Sequence, residues 1–350
     1  MAAENTTRVA TANTLSNVGG MVSGRNDLLI DAAAGTVDST RGALLSDGRV
    51  SINAARLTNG EGDLAAGAGV ELRLSGAIDN RAGQIQSAEG GVNLQAGELT
   101  NAGGLIFTPR GSTTVTTTTL DNSEGRVIAQ QDLAIDTTSL ANERDGVLAA
   151  LTGSTTVRSG QTRNAGGLIA GTTAATLTTT TFDNRGGELS TQGALVIDTQ
   201  GNTLTNTGGV MSGQSVNVLS GAFDNSAATL VSASDITLRT GALNNTSGLI
   251  QGLGAVTIDT QRNAFINTQS GPAGGLLSGG ALSINAAGLD NRAGFITADQ
   301  AFTLDLGGDV DNRDGGQIAG NTTGTINAQQ LLNARGKLTT LGDLTVRATS

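Results

Sequence analysis

The chain repeats a short pattern about every 21 residues, and this repeat limits its fold more than any other feature. Segments such as AIDNRAGQIQS, TLDNSEGRVIA and GLDNRAGFITA share an apolar residue, one spacer, an asparagine, a glycine and an aliphatic pair. We call this asparagine the marker. Asp38 stands at the one position where the asparagine is missing, which gives sixteen repeats separated by 19 to 24 residues. The markers are Asn17, Asn59, Asn80, Asn101, Asn122, Asn142, Asn164, Asn184, Asn206, Asn225, Asn245, Asn267, Asn291, Asn312 and Asn333.

Each repeat contains three short segments with the pattern of β-strands. An apolar residue stands two positions before the marker, an aliphatic pair follows the glycine, and a third segment alternates as in Leu133-Ala-Ile135. Period-two alternation is typical of strands. Three strands in about 21 residues cannot form a sheet alone, so we expect them to pair in parallel with their counterparts in neighbouring repeats. The sequence therefore predicts an all-β fold, a right-handed parallel β-helix (solenoid) of about 16 coils.

The repeat runs through the whole chain, which predicts a single continuous β-helical segment over residues 1–350. Paired strands lie about 4.8 Å apart, so sixteen coils would form a rod about 75 Å long. The longest step, from Asn267 to Asn291, contains Pro272 and predicts an enlarged turn near residues 268–280. The strand-like end LTVRATS leads us to expect a fragment of a larger protein, with uncapped ends.

The marker asparagines are interpreted as structural. Alternation places them inward, where a buried amide needs hydrogen-bond partners, and stacked amides can form a ladder from coil to coil. Asparagine also tolerates the left-handed backbone conformation better than other residues except glycine. Asp38, if ionised, cannot donate, so we predict a weak rung there. Thr36 and Thr162 are the polar residues found two positions before a marker.

Phenylalanine occupies the same inward position in alternate repeats of one part of the chain. Phe182, Phe223 and Phe265 stand two residues before their markers, with Leu204 and Leu243 at the same position in the repeats between them. Alternating large and small side chains suits close packing along a narrow interior. We therefore interpret these rings as core residues and not as a ligand platform.

The missing residue types exclude most catalytic chemistry. The chain has no His and no Cys, which removes Ser-His-Asp and Cys-His nucleophile systems and thiolate or imidazole metal sites. Carboxylates remain, with Asp before the marker and Arg after it, as in Asp79 and Arg81. We expect exposed ion pairs from this spacing, while a carboxylate pair in a sugar-cleaving groove is the alternative. We predict no catalytic, cofactor-binding or metal-binding residues and no enzymatic activity.

Charge and hydropathy indicate which partners to expect. The net charge is −10, and Lys337 is the single lysine, so the chain lacks the basic surface that binds nucleic acid. The first twenty residues contain no apolar signal-peptide region, and no stretch approaches about 18 consecutive apolar residues. We therefore expect no nucleic-acid partner and no membrane insertion.

The consensus LDNxxGxIxA followed by an alternating LxI strand resembles the haemagglutinin repeat of filamentous haemagglutinins and contact-dependent growth inhibition exoproteins. The resemblance spans residues 13 to 350. It implies a filament on a Gram-negative surface, exported through an outer-membrane two-partner secretion transporter. It also implies a stalk that projects an adhesive or toxin region towards a receptor on a host or neighbouring cell.

Two other functions stay open from the sequence. A β-helix that binds or cleaves polysaccharides would present a cleft lined by acids and rings. A partner-binding module would present an exposed apolar patch, which we would expect near residues 268–280.

Overall fold

A computed structural model describes residues 2–3 and 5–349 of the chain, and their regular structure consists of β-strands. The residues form two compact units, Met1–Thr179 and Thr180–Ser350, and each is described by itself. Whether they form one continuous segment, as the repeat predicts, stays a prediction. In both units a coil begins with a turn at the marker and continues through a first, a second and a third strand.

In unit 1 the first strands form one sheet, and the second and third strands form another. Two long strands, Leu133–Ala141 and Ser154–Arg163, combine the second and third strands of their coils. The first strands are Ala2–Ala3, Met21–Gly24, Ala43–Ser46, Asp63–Ala66, Gln84–Ser87, Leu105–Thr108, Arg126–Ala129, Val147–Ala150 and Leu168–Gly171. The other second strands are Thr7–Ala10, Leu28–Asp31, Arg49–Ala54, Gly69–Leu74, Val92–Gln95, Thr113–Thr116 and Ala174–Thr178. The other third strands are Thr14–Ser16, Thr36–Asp38, Arg56–Thr58, Ala77–Asp79, Glu98–Thr100 and Thr119–Asp121.

Unit 2 repeats this plan with shorter third strands. Its first strands are Glu188–Thr191, Val210–Gly213, Thr229–Ser232, Leu249–Gly252, Gly275–Ser278, Phe295–Ala298, Gln317–Gly320 and Lys337–Thr340. Its second strands are Ala194–Asp198, Ser215–Leu219, Ile236–Arg239, Val256–Asp259, Leu282–Ala286, Phe302–Leu306, Gly324–Ala328 and Leu344–Ala348. Its third strands are Thr181–Asp183, Leu204–Thr205, Phe223–Asp224, Leu243–Asn244, Ala264–Ile266, Gly288–Asp290, Val310–Asp311 and Leu331–Leu332.

Within each unit, equivalent strands of successive coils pair in parallel and in register. Ile85 lies beside Ile106, which lies beside Val127, and all three are fully buried. Leucine and isoleucine make up most of the buried apolar residues, so the interior of each unit contains a continuous aliphatic column. The parallel β-helix predicted from the repeat is confirmed.

The inward phenylalanines are core residues, as predicted. Phe182, Phe223 and Phe265 are at most 1% exposed, and Leu204 and Leu243 lie between them in register. Their alternation with leucine leaves each ring room above and below.

Thr162 is an inward polar residue whose hydroxyl group is satisfied. It pairs in register with Leu140 and is 1% exposed. Its Oγ1 atom lies 2.5 Å from Ser159 Oγ, so the two hydroxyls share a hydrogen bond inside the long strand. This bond compensates for burying a polar side chain where other coils bury leucine.

The turn after Asn267 is larger than the others. Residues 267–274 separate the strand that ends at Ile266 from the strand that begins at Gly275, whereas residues 122–125 suffice after Asp121. Ser270 Oγ accepts a hydrogen bond from the Phe295 backbone nitrogen at 3.1 Å. A side chain thus ties the enlarged turn to the next coil.

Candidate functional site: a buried asparagine ladder

A four-residue turn with the sequence Asn-x-x-Gly shapes most of the marker positions. In the turn of Asn101, the Gly104 backbone nitrogen donates to the Asn101 carbonyl oxygen at 2.9 Å. The residue two positions after the marker takes the left-handed conformation, as at Gly103 (φ 63°) and Glu124 (φ 60°). The marker asparagines themselves are not among the left-handed residues, so their tolerance of that conformation is not used here. The asparagine is needed for its side chain.

Most marker side chains donate from one Nδ2 atom to several acceptors, as the turn of Asn101 shows. Asn101 Nδ2 donates to the Gly104 carbonyl at 3.3 Å, to the Arg126 carbonyl at 3.2 Å and to Asn122 Oδ1 at 2.8 Å. The first bond closes its own turn, and the other two reach the next coil. The amide therefore holds the turn and joins coils, which neither an apolar nor a hydroxyl side chain can do equally well.

The structure brings the markers of each unit together into such ladders. The side-chain bonds measure 2.7 to 2.8 Å, and the amides are fully buried except at Asn17, which is 7% exposed, and Asn333, which is half-buried. In unit 1 the bonds join Asn59, Asn80, Asn101, Asn122, Asn142 and Asn164. In unit 2 they join Asn184, Asn206, Asn225, Asn245, Asn267, Asn291, Asn312 and Asn333.

Asp38 is not part of the ladder, and the sequence assignment was wrong by one residue. Leu15 pairs with Val37, so Val37 is the inward apolar residue and Ser39 follows at the marker position. Ser39 is fully buried, and its Oγ accepts from Asn17 Nδ2 at 3.1 Å. Asp38 points outward and accepts from the Thr40 nitrogen and hydroxyl. The weak rung therefore lies at Ser39.

The short Ser39 side chain leaves the neighbouring rung incomplete. Asn59 Oδ1 is buried and has no hydrogen-bond partner among the described residues, whereas the equivalent oxygen of Asn80 accepts from Asn59 Nδ2 at 2.8 Å. A buried acceptor without a donor costs about 1 to 3 kcal/mol.

Replacing Ser39 with asparagine should raise the free energy of unfolding by about 1 kcal/mol. The new Nδ2 can donate to Asn59 Oδ1 and complete the ladder. Urea denaturation measures the effect, and Asp38→Asn is the matched control, since it places an amide on the outward side and should change stability by less than about 0.5 kcal/mol. Equal stabilisation by both substitutions would contradict this register.

A second buried column, of hydroxyl groups, was missed by the sequence analysis. It lies at the corner between the second and third strands, where Thr117 Oγ1 donates to Thr137 Oγ1 at 3.2 Å and Ser159 Oγ donates to Thr179 Oγ1 at 3.0 Å. In unit 2 the equivalent residues are buried: Thr199, Ser220, Thr240 and Thr260. The signal was a serine or threonine five or seven residues before the marker.

The acids that precede markers are held in ion pairs where an arginine follows the marker, as the spacing predicts. Arg81 Nη2 lies 2.6 Å from Asp79 Oδ2, and the same pairing joins Asp183 to Arg185, Asp290 to Arg292, and Asp311 to Arg313, at 2.6 to 2.7 Å. Hydrogen bonds from the Arg81 side chain lower the pKa of Asp79, and those from Arg313 lower the pKa of Asp311. A glycosidase acid needs a raised pKa, so this environment opposes that role.

Two shallow grooves carry further charged residues. One, of about 420 Å³, is lined by Asp121, Glu143 and Arg163 among others, and Arg163 lies 3.4 Å from Glu143. The other, of about 450 Å³, lies beside the enlarged turn and includes Ile266, Asp290 and Arg292. Both grooves are lined mainly by short polar, aliphatic and ion-paired side chains, without the rings that stack against sugars. Among the described residues no three acidic side chains gather closely enough to hold a metal ion.

Parallel coils, an aliphatic column and a buried amide ladder define a β-helical repeat protein. Comparison with protein families identifies the repeat itself: the chain belongs to the haemagglutinin repeat family, whose model matches residues 2–82, 87–153, 144–215, 196–264, 266–314 and 296–350. Searches of curated proteins and of solved structures find no match. None of the described residues lies in a helix long and apolar enough to cross a membrane.

Proposed function

We propose that the chain is a rigid stalk segment of a secreted surface adhesin or of a contact-dependent growth inhibition protein, and that it projects a binding or toxin region from the cell. The observation that carries the proposal is the amide ladder. Asn122 Nδ2 donates to the Val147 carbonyl and to Asn142 Oδ1, so bending a coil away from its neighbour breaks buried bonds as well as strand pairing. Membership of the haemagglutinin repeat family supports the same role.

We further propose that the parent protein leaves the cell through an outer-membrane two-partner secretion transporter. The absence of cysteine favours such export, because disulfides formed in the periplasm would obstruct threading of an unfolded chain. Nearest-neighbour stacking also lets coils fold one after another as they emerge. The receptor on a host or neighbouring cell would be bound by other regions of the protein.

Removal of whole coils tests the stalk role. Deleting residues 60–122 joins Asn59 to Ser123 and removes three complete repeats, because the markers there are 21 residues apart. We expect the shortened chain to fold and its maximum dimension in small-angle scattering to fall by about 14 Å. Deleting residues 60–112 is the control, since it joins a marker turn to a second strand and should abolish folding.

The same deletion in the intact exoprotein tests function. We expect secretion, and adhesion or toxin delivery with a shorter reach, because no recognition residue is lost. If the shortened protein is secreted and folded but no longer engages its target, the segment itself takes part in binding, and the stalk proposal is wrong.

A further inference from the structure

The outward side of the first-strand sheet in unit 1 forms an apolar surface that a solvated stalk does not need. In each four-residue first strand the second and fourth residues point into the core, and the first and third point outward. We call the outward residues of the eight strands from Met21–Gly24 to Leu168–Gly171 the outer face. It contains the half-buried side chains of Leu45, Leu105, Phe107, Ile128, Val147 and Leu168.

The outer face differs from the outward side of the second strands in the same unit. There most of the equivalent positions carry polar or charged residues, such as Thr114, Thr116 and Arg158, and Leu29 is the one large apolar side chain among them. Apolar side chains clustered on one face of a sheet mark an interaction surface more often than a solvated one.

The outer face carries two charges of opposite sign. Asp63 and Arg126 are the first residues of their strands and stand three coils apart. Neither takes part in an ion pair among the described residues of the chain. Each is flanked in its column by uncharged side chains, Ala43 and Gln84 beside Asp63 and Leu105 and Val147 beside Arg126.

We propose that the outer face binds the outer face of a second copy of the chain, with the two stacks of coils antiparallel. The twofold axis lies parallel to the strands, midway between the coils of Asn80 and Asn101. This rotation leaves the strands of both copies pointing in the same direction, so the first residue of a strand lies opposite the first residue of a strand in the second copy. It also reverses the order of the coils in the second copy. Asp63 therefore faces Arg126 of the second copy, and the second copy's Asp63 faces Arg126.

The same rotation places several large side chains opposite small ones. Val147 faces Ala43, Ile128 faces Ala65, and Leu45 faces Ala149, while Phe107 faces Gln86. A parallel arrangement, with the axis along the stack, would instead place Leu105 against Phe107 and Asp63 against Ala65. Large and small side chains face each other in both arrangements, as Leu45 and Ala43 do in the parallel one. Opposite charges pair in the antiparallel dimer alone, and this pairing favours it.

A second copy fits this surface better than an unrelated partner. Rows of side chains repeat along the outer face at the strand spacing of about 4.8 Å, and another stack of the same coils presents rows at the same spacing. Eight coils span about 35 Å and a four-residue strand about 13 Å, which places the contact at the low end of specific interfaces. Weak, concentration-dependent dimers are the expected result.

Charge exchange tests the pairing. Sedimentation velocity of the full chain over a range of concentrations should show Asp63→Arg and Arg126→Asp each weakening dimerisation at least tenfold, and the double variant restoring it to within about threefold. Arg158→Asp, on the outward side of a second strand, is the matched control and should leave dimerisation unchanged. Circular dichroism shows whether each variant is folded. A wild-type chain that stays monomeric, or a double variant as weak as the single ones, would overturn the proposal.

Disulfide trapping tests the geometry independently. The chain has no cysteine, and Ala43 and Val147 lie five coils apart, about 24 Å, too far for a bond within one chain. The variant with both Ala43→Cys and Val147→Cys should form a covalent dimer on oxidation, seen by non-reducing electrophoresis. Each single variant should stay monomeric. Equal cross-linking by a single variant would contradict the antiparallel arrangement.

Discussion

Replacing Gly104 with alanine should lower the free energy of unfolding by about 3 kcal/mol. A Cβ atom at this position would lie 2.1 Å from the Asn80 carbonyl oxygen and 2.7 Å from Asn101 Oδ1. The first atom belongs to the backbone of the preceding coil and the second to the ladder, so neither can move without breaking hydrogen bonds. Urea denaturation followed by circular dichroism measures the loss.

Gly103→Ala is the matched control for Gly104→Ala. Gly103 has a φ of 63°, and a Cβ there meets no atom within 4 Å, so the cost is backbone strain alone, about 1 kcal/mol. Ala82 occupies the equivalent left-handed position one coil earlier, with a φ of 52°. If the two substitutions destabilise the chain equally, close packing against the ladder is not the reason for the glycine.

The chain contains one natural example of this substitution. Ala228 stands where the other turns have glycine, and its nitrogen lies 3.3 Å from the Asn225 carbonyl, compared with 2.9 Å between Gly104 and Asn101. The loosened turn shows how a methyl group is accommodated: the bond that closes the turn lengthens. The expected loss at Gly104 is therefore large but does not abolish folding.

Replacing Asn122 with leucine should also lower the free energy of unfolding by about 3 kcal/mol. Leucine has the same number and branching of heavy atoms, but it cannot accept the 2.8 Å hydrogen bond from Asn101 Nδ2 or donate the 2.7 Å hydrogen bond to Asn142 Oδ1. The Asn142 oxygen is left buried without a donor, and the Gly125 and Val147 carbonyls each lose a bond. Urea denaturation again provides the measurement.

Thr119→Leu serves as the control for Asn122→Leu, because Thr119 is exposed in the strand that leads into Asn122 and its replacement should change stability by less than about 0.5 kcal/mol. The ladder is proposed as structural, so stability alone should respond. Loss of a measured sugar-cleaving activity in Asn122→Leu or Asn184→Leu, with thermal stability unchanged, would show that the asparagines serve chemistry instead.

The sequence determined the coil, because a coil is a local arrangement. Leu120, the spacer Asp121, Asn122 and Gly125 fix an inward apolar residue, an inward amide and a tight turn within six residues. The spacing of Asp79 and Arg81 likewise fixed an ion pair between neighbours on one edge. Repetition then required stacking, since no single coil can satisfy its strands.

Only the tertiary structure decided the features that depend on register between coils. The segment TVDST offers Asp38 and Ser39 as marker candidates, and the pairing of Leu15 with Val37 selects Ser39, because a shift of one residue reverses inward and outward side chains. The hydroxyl column and the outer face likewise arise from residues about 21 positions apart, such as Thr117 with Thr137. Their contacts follow from how coils stack, which the pattern within one coil does not specify.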